Sequence, residues 1–132
     1  MAGEQAVFVG HSMGGFGAML YGAAIPAAAV IAFSPQVMID ESVDGRYNRY
    51  WKDLHNTALP EMIEASSASF VVVYGKSHYD EKHVGYLKEL SNVTAIQYGA
   101  SHNTASSLKK DGKLVKLIKD VLNGDYTPKI RK

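Results

Sequence analysis

The chain has 132 residues, 46% of them hydrophobic and 20% charged, a balance that supports a packed core and excludes a disordered or fibrous chain. A formal net charge of +1 and a sequence pI of about 7.9 give no electrostatic case for nucleic acid or another polyanion as partner. With no cysteine there is neither a disulfide nor a thiolate metal site, which sits with a reducing, cytoplasmic setting.

In chain order, Met1-Ala2-Gly3-Glu4-Gln5 lacks the basic region and apolar core of a signal peptide. No apolar run approaches the ~20 residues of a membrane span. Ala6–Val9 predicts a first strand, and the small-residue stretch Gly14–Leu20 predicts a helix behind it, stopped by Pro26. Ala28–Phe33 is continuously apolar, the pattern of a parallel strand covered on both faces. Residues 36–66 form the longest excursion between strands. Within it Arg46–Leu54 predicts a helix whose Tyr47, Tyr50, Trp51 and Leu54 pack on the sheet, and Leu59–Ile63 a shorter helix with Pro60 in its first turn. Ser69–Tyr74 and Val93–Tyr98 predict the third and fourth strands. Asp80–Leu90 is expected to be an amphipathic helix. Asn103–Asn123 is expected to be another, broken at Gly112, with Leu114, Leu117, Ile118 and Val121 on one face. At about 30 residues per strand-plus-crossover unit, this is an α/β pattern. It predicts three αβα layers around a short parallel sheet of about four strands in sequential order, in one domain over residues 1–132.

The chemistry gathers at the strand ends. Gly10-His11-Ser12-Met13-Gly14 is a G-x-S-x-G pentapeptide between a strand and a helix, the context of a nucleophile elbow. A serine on so sharp a turn is strained, and the flanking Gly10 and Gly14 are expected to relieve crowding there. The Met13 amide opens the helix, where a developing oxyanion is favoured. Such a serine needs a base, and the base needs an acid to fix its tautomer. Asp80 stands just past the third strand and His102 just past the fourth, and in a parallel sheet those ends share one edge with Ser12. Glu81, Asp40 and Asp44 remain alternative acids. Asp80 is preferred because it lies nearer its strand end and could cap the following helix.

Other polar residues receive plainer readings. His78, Asp80 and His83 have a spacing that could hold a metal, but use of Asp80 as the acid accounts for the same residue more economically, and no metal is expected. Lys109, Lys110, Lys113, Lys116 and Lys119 form a solvated helix face. His11 is expected to pack beside the nucleophile, and His55 to lie on the surface.

The order Ser12, Asp80, His102 is that of the α/β-hydrolases. The chain resembles that superfamily from the elbow onward, over the carboxyl-terminal half of its usual fold, and the Gly-His-Ser-Met-Gly-Gly form is similar to that of its serine esterases and lipases. The resemblance implies a truncated α/β-hydrolase-like fold and a serine hydrolase that cleaves an ester or thioester of a small acyl substrate. It would work without a cofactor, through a Ser-His-Asp catalytic triad and an acyl-enzyme. Ser12 would be the nucleophile, His102 general base and acid, Asp80 the orienting carboxylate and the Met13 amide an oxyanion donor. In the family, insertions after the second strand often cap the site and shape the acyl pocket, and a loop before the elbow supplies a second oxyanion amide. No His-Gly-type motif of that kind occurs here. An acyltransferase, or a truncated relative that binds a ligand or partner without turnover, stays open. A first strand at the sheet edge would also invite a homodimer.

Overall fold

The computed structural model describes residues 6–26, 28–45 and 55–130. Strands β1 (Val7–His11), β2 (Ala29–Phe33), β3 (Ser69–Tyr74) and β4 (Val93–Gln97) form one all-parallel sheet in the order β1-β2-β3-β4. Among the described residues five helices accompany it: α1 (Met13–Ala23), α2 (Leu59–Glu64), α3 (His78–Val84), α4 (Thr104–Lys110) and α5 (Leu114–Leu122). β1 runs past its apolar stretch to His11 because its ladder continues through Gly10 opposite Ala32 and His11 opposite Phe33.

Strand order and helix position are physically linked. Right-handed crossovers between strands that advance in one direction leave every connecting helix on the same face. There Val30, Ala32, Phe70 and Val72 pack with Phe16 and Met19 of α1, Leu59 and Ile63 of α2, and Val84 of α3. The alternate residues Ile31, Phe33, Val71 and Val73 point the other way, into a second cluster with Leu108 of α4 and Leu117 and Val121 of α5. The result is a three-layer αβα fold. β2 is buried end to end, which explains why its sequence is apolar without alternation; each large aliphatic side chain buried there is worth about 1.5–3 kcal/mol. The Leu114, Leu117, Ile118 and Val121 stripe does face this second core.

Some boundaries differ from the sequence expectation. The helix after β3 ends at Val84 rather than Leu90: Gly85 follows it, and the Tyr86 and Leu87 amides turn back to the His83 and Val84 carbonyls in tight 3₁₀-type bonds. Ser77 caps this helix through the Asp80 N–H, 3.2 Å from its Oγ, so Asp80 is not the cap. The carboxyl-terminal helical stretch does break at Gly112, whose φ of 73° suits glycine. The expected aromatic helix Arg46–Leu54 lies outside the described residues. No helix among the described residues is long and apolar enough to cross a membrane. β1 is an edge strand of the four-stranded sheet, and Val9 on it is 51% exposed.

Candidate active site

Ser12 joins β1 to α1 with φ 57° and ψ −119°, a left-handed conformation that costs a non-glycine residue about 1–3 kcal/mol and persists only where its surroundings enforce it. Its N–H donates to the Phe33 carbonyl at 2.9 Å, and its own carbonyl accepts from Phe16 and Gln36, each at 3.2 Å. These bonds tie the turn to the end of β2, to α1 and to the segment after β2. Although Ser12 is the N-cap of α1, its hydroxyl makes no capping bond, so it is available for other partners.

The glycines divide differently from the expectation. A Cβ on Gly10 would lie 2.1 Å from the Gly14 carbonyl oxygen, so the turn closes only with glycine there. Gly14, in contrast, faces open space, and it is Gly15 whose Cβ would press on Pro35, at 2.9 Å. The helix is brought close to the Pro35 loop by Gly15, not by Gly14.

Two loops and the first turn of α3, at the carboxyl end of the sheet, bring Ser12, His102 and Asp80 together. His102 Nε2 lies 3.1 Å from Ser12 Oγ, and His102 Nδ1 lies 2.6 Å from Asp80 Oδ1. The other oxygen, Oδ2, accepts the Gly75 N–H at 2.9 Å. Since a carboxylate only accepts, Nδ1 carries the proton and Nε2 is left to accept from the serine hydroxyl. Burial pushes the Asp80 carboxyl up, but hydrogen bonds from His102, the Ser34 hydroxyl and the Gly75 amide, with the His102 charge, outweigh it and hold the carboxyl below its ordinary value. Asp80 is nearly sealed, and His102 is one-third exposed.

The alternative acids turn elsewhere. Glu81 accepts from Gln97 Nε2 at 3.1 Å and lines an open cleft of about 270 Å³ with Tyr74, Val84, Gly85, Lys88 and Gln97. Asp40 bonds the Ser42 amide and hydroxyl, and lies 3.5 Å from His55 on the surface. Asp44 is buried against His83, 3.1 Å from Nε2. The residues of the metal spacing also separate: Asp80 faces His102, His83 faces Asp44, and His78 is exposed with its ring against Tyr79.

Further residues complete the site. His11 does pack at the site: its ring lies 5.1 Å from that of His102, and its Nε2 donates to the His102 carbonyl at 3.1 Å. Gly75 lets the loops after β3 and β4 touch, since a Cβ there would lie 2.0 Å from the Ser101 carbonyl oxygen. Buried Ser34 has φ 44° and lies 3.0 Å from the Thr104 hydroxyl. Gln36 Nε2 reaches Ser12 Oγ at 3.4 Å. The one sequence signal for Ser34 and Gln36 was their place just past the carboxyl end of β2, the same rule that selects Asp80 and His102.

The chain matches no known family model, curated protein or solved structure. As first residue of α1, Met13 has no intrahelical acceptor for its N–H. The Ser12–Met13 peptide is trans, so that N–H points opposite to the Ser12 carbonyl, away from the Gln36 amide. No acidic residue occupies the first turn of α1, which leaves the positive end of the helix dipole to act on an anion at Ser12.

Proposed function

We propose that this chain is a serine hydrolase of the α/β-hydrolase kind, acting on small acyl esters or thioesters. The observation that carries the reading is the hydrogen-bonded series Asp80–His102–Ser12, built on a serine with φ 57°. Ser12 Oγ attacks the acyl carbon while its proton passes to His102 Nε2. The Met13 N–H supports the oxyanion, and the proton then leaves with the alcohol or thiol. His102 next takes a proton from water, which attacks the acyl-enzyme; the carbon–oxygen bond to Ser12 breaks and Oγ recovers its proton. Asp80 stays ionised throughout and stabilises the imidazolium.

Fluorophosphonate labelling and p-nitrophenyl acetate hydrolysis test this. Wild type is expected to be labelled at Ser12 and to turn over slowly, since the Met13 N–H is the one oxyanion donor identified among the described residues and the loss of a donor typically costs on the order of 10²–10³ in rate. Ser12→Ala should lose both. Equal hydrolysis by the two proteins with no labelling would leave the non-catalytic binding module standing instead. We further infer a second copy of this chain as the partner of the β1 edge, and a cytoplasmic setting from the cysteine-free sequence.

A further inference from the structure

We propose that Gln36 is a second polar partner of the Ser12 nucleophile, its side-chain amide donating to Oγ so that the hydroxyl proton is directed to His102 and charge on Oγ is stabilised. This rests on the hydrolase reading above. Gln36 is 8% exposed and its Nε2 lies 3.4 Å from Oγ. A serine hydroxyl has one proton and two lone pairs. A donor that occupies one lone pair leaves the proton free for the acceptor beside it, His102 Nε2, 3.1 Å away.

The side-chain amide of Gln36 is turned toward the nucleophile. Its Oε1 is buried and has no hydrogen-bond partner among the described residues. The end that is bonded is the one at the nucleophile.

The segment is also rigidly set. The Gln36 N–H bonds to the Ser12 carbonyl at 3.2 Å. The next two amides, Val37 and Met38, donate to His83 Nδ1 at 3.0 Å and 3.3 Å. With Nδ1 accepting, the proton of His83 sits on Nε2 and goes to the Asp44 carboxylate at 3.1 Å. A fully buried His–Asp pair thus holds the backbone that presents Gln36. Because the Gln36 side chain donates to Oγ itself, its role is distinct from that of the Met13 oxyanion donor. In acylation Oγ gives its proton to His102 as it bonds to carbon; in deacylation that bond breaks and its electron pair returns to Oγ. Gln36 acts on the same atom in both steps.

The test needs no turnover. The chain has no cysteine, so Ser12→Cys introduces a single thiol whose ionisation is read from the pH dependence of iodoacetamide alkylation. In that background Gln36→Met removes the donor at similar length and is expected to raise the thiol pKa by roughly one unit, about tenfold less thiolate on the acid side of the titration. Gln36→Glu adds a negative charge and should raise it further. In the wild-type background Gln36→Met should slow fluorophosphonate labelling about tenfold. An equal thiol pKa with and without the Gln36→Met substitution overturns the proposal. Failure of wild type to be labelled while the thiol order glutamine, methionine, glutamate holds overturns the hydrolase reading alone.

Discussion

Asp80 engages His102 with one carboxylate oxygen, at 2.6 Å from Nδ1, and the Gly75 amide with the other, at 2.9 Å. The second bond fixes the carboxylate in the plane in which the first is made, so the imidazole is held in one tautomer. Asp80→Asn keeps the shape but presents an amide that can turn a donor toward Nδ1, favouring the tautomer with the proton on Nε2, which cannot accept from Ser12. Activity is expected to fall about 10³–10⁴-fold in a protein that stays folded at assay temperature, its melting temperature lowered only by the loss of the carboxylate's own stabilisation. Steady-state hydrolysis beside a thermal melt separates this from simple unfolding.

The same carboxylate gives an acid limb to stability. Its native pKa lies below the value in the unfolded chain, so on acidification the unfolded chain takes up the proton first. The stabilisation is complete above the ~3.9 of an unfolded aspartate and is lost as pH falls through the lower native value. Melting temperatures from pH 6 down to pH 2 should fall more steeply for wild type than for Asp80→Asn. Parallel curves would show that other carboxylates carry the acid limb.

Glycine substitutions should separate sharply. Gly10→Ala drives a Cβ to 2.1 Å from a backbone oxygen, and backbone cannot step aside without opening the elbow; destabilisation by several kcal/mol and loss of labelling are expected. Gly14→Ala meets nothing within 4 Å and exchanges glycine for a better helix former, a gain of about 0.5–1 kcal/mol. Differential scanning calorimetry on the pair decides it.

The outer side of β1 predicts self-association. Val9 is 51% exposed on an edge strand, where unpaired backbone and apolar side chains favour pairing with a second chain. Light scattering over a dilution series should show a concentration-dependent dimer, weakened by Val9→Lys. A monomer at every concentration would mean that another segment shields the edge.

The sheet was legible because fully buried parallel strands are continuously apolar, and β2 and β3 are such runs. The gathering of Ser12, Asp80 and His102 at one edge followed from topology alone, since every loop after a parallel strand leaves on the same side. Choosing Asp80 over Glu81 was not decidable from spacing; the Ser77 cap orients the first turn of α3 so that Asp80 faces His102 and Glu81 the cleft. Gln36 and the Gly15–Pro35 approach depend on how α1 lies against the segment after β2, a tertiary relation with no local signature. The motif points to Gly14, while the steric demand falls one residue later, on Gly15.

The pair α4–α5, which covers the second face of the sheet, begins directly after His102. Thr104, fully buried, lies 3.0 Å from the Ser34 hydroxyl, and Tyr98, on the other side of His102, donates to Asp111 at 2.5 Å. His102 therefore stands in the chain between two anchors, one at each end of α4. In hydrogen-exchange terms, the free energy that releases the amides of Thr104–Lys110 bounds the population in which His102 is displaced, so exchange at α4 would report how often the Asp80–His102–Ser12 series is broken without any substrate.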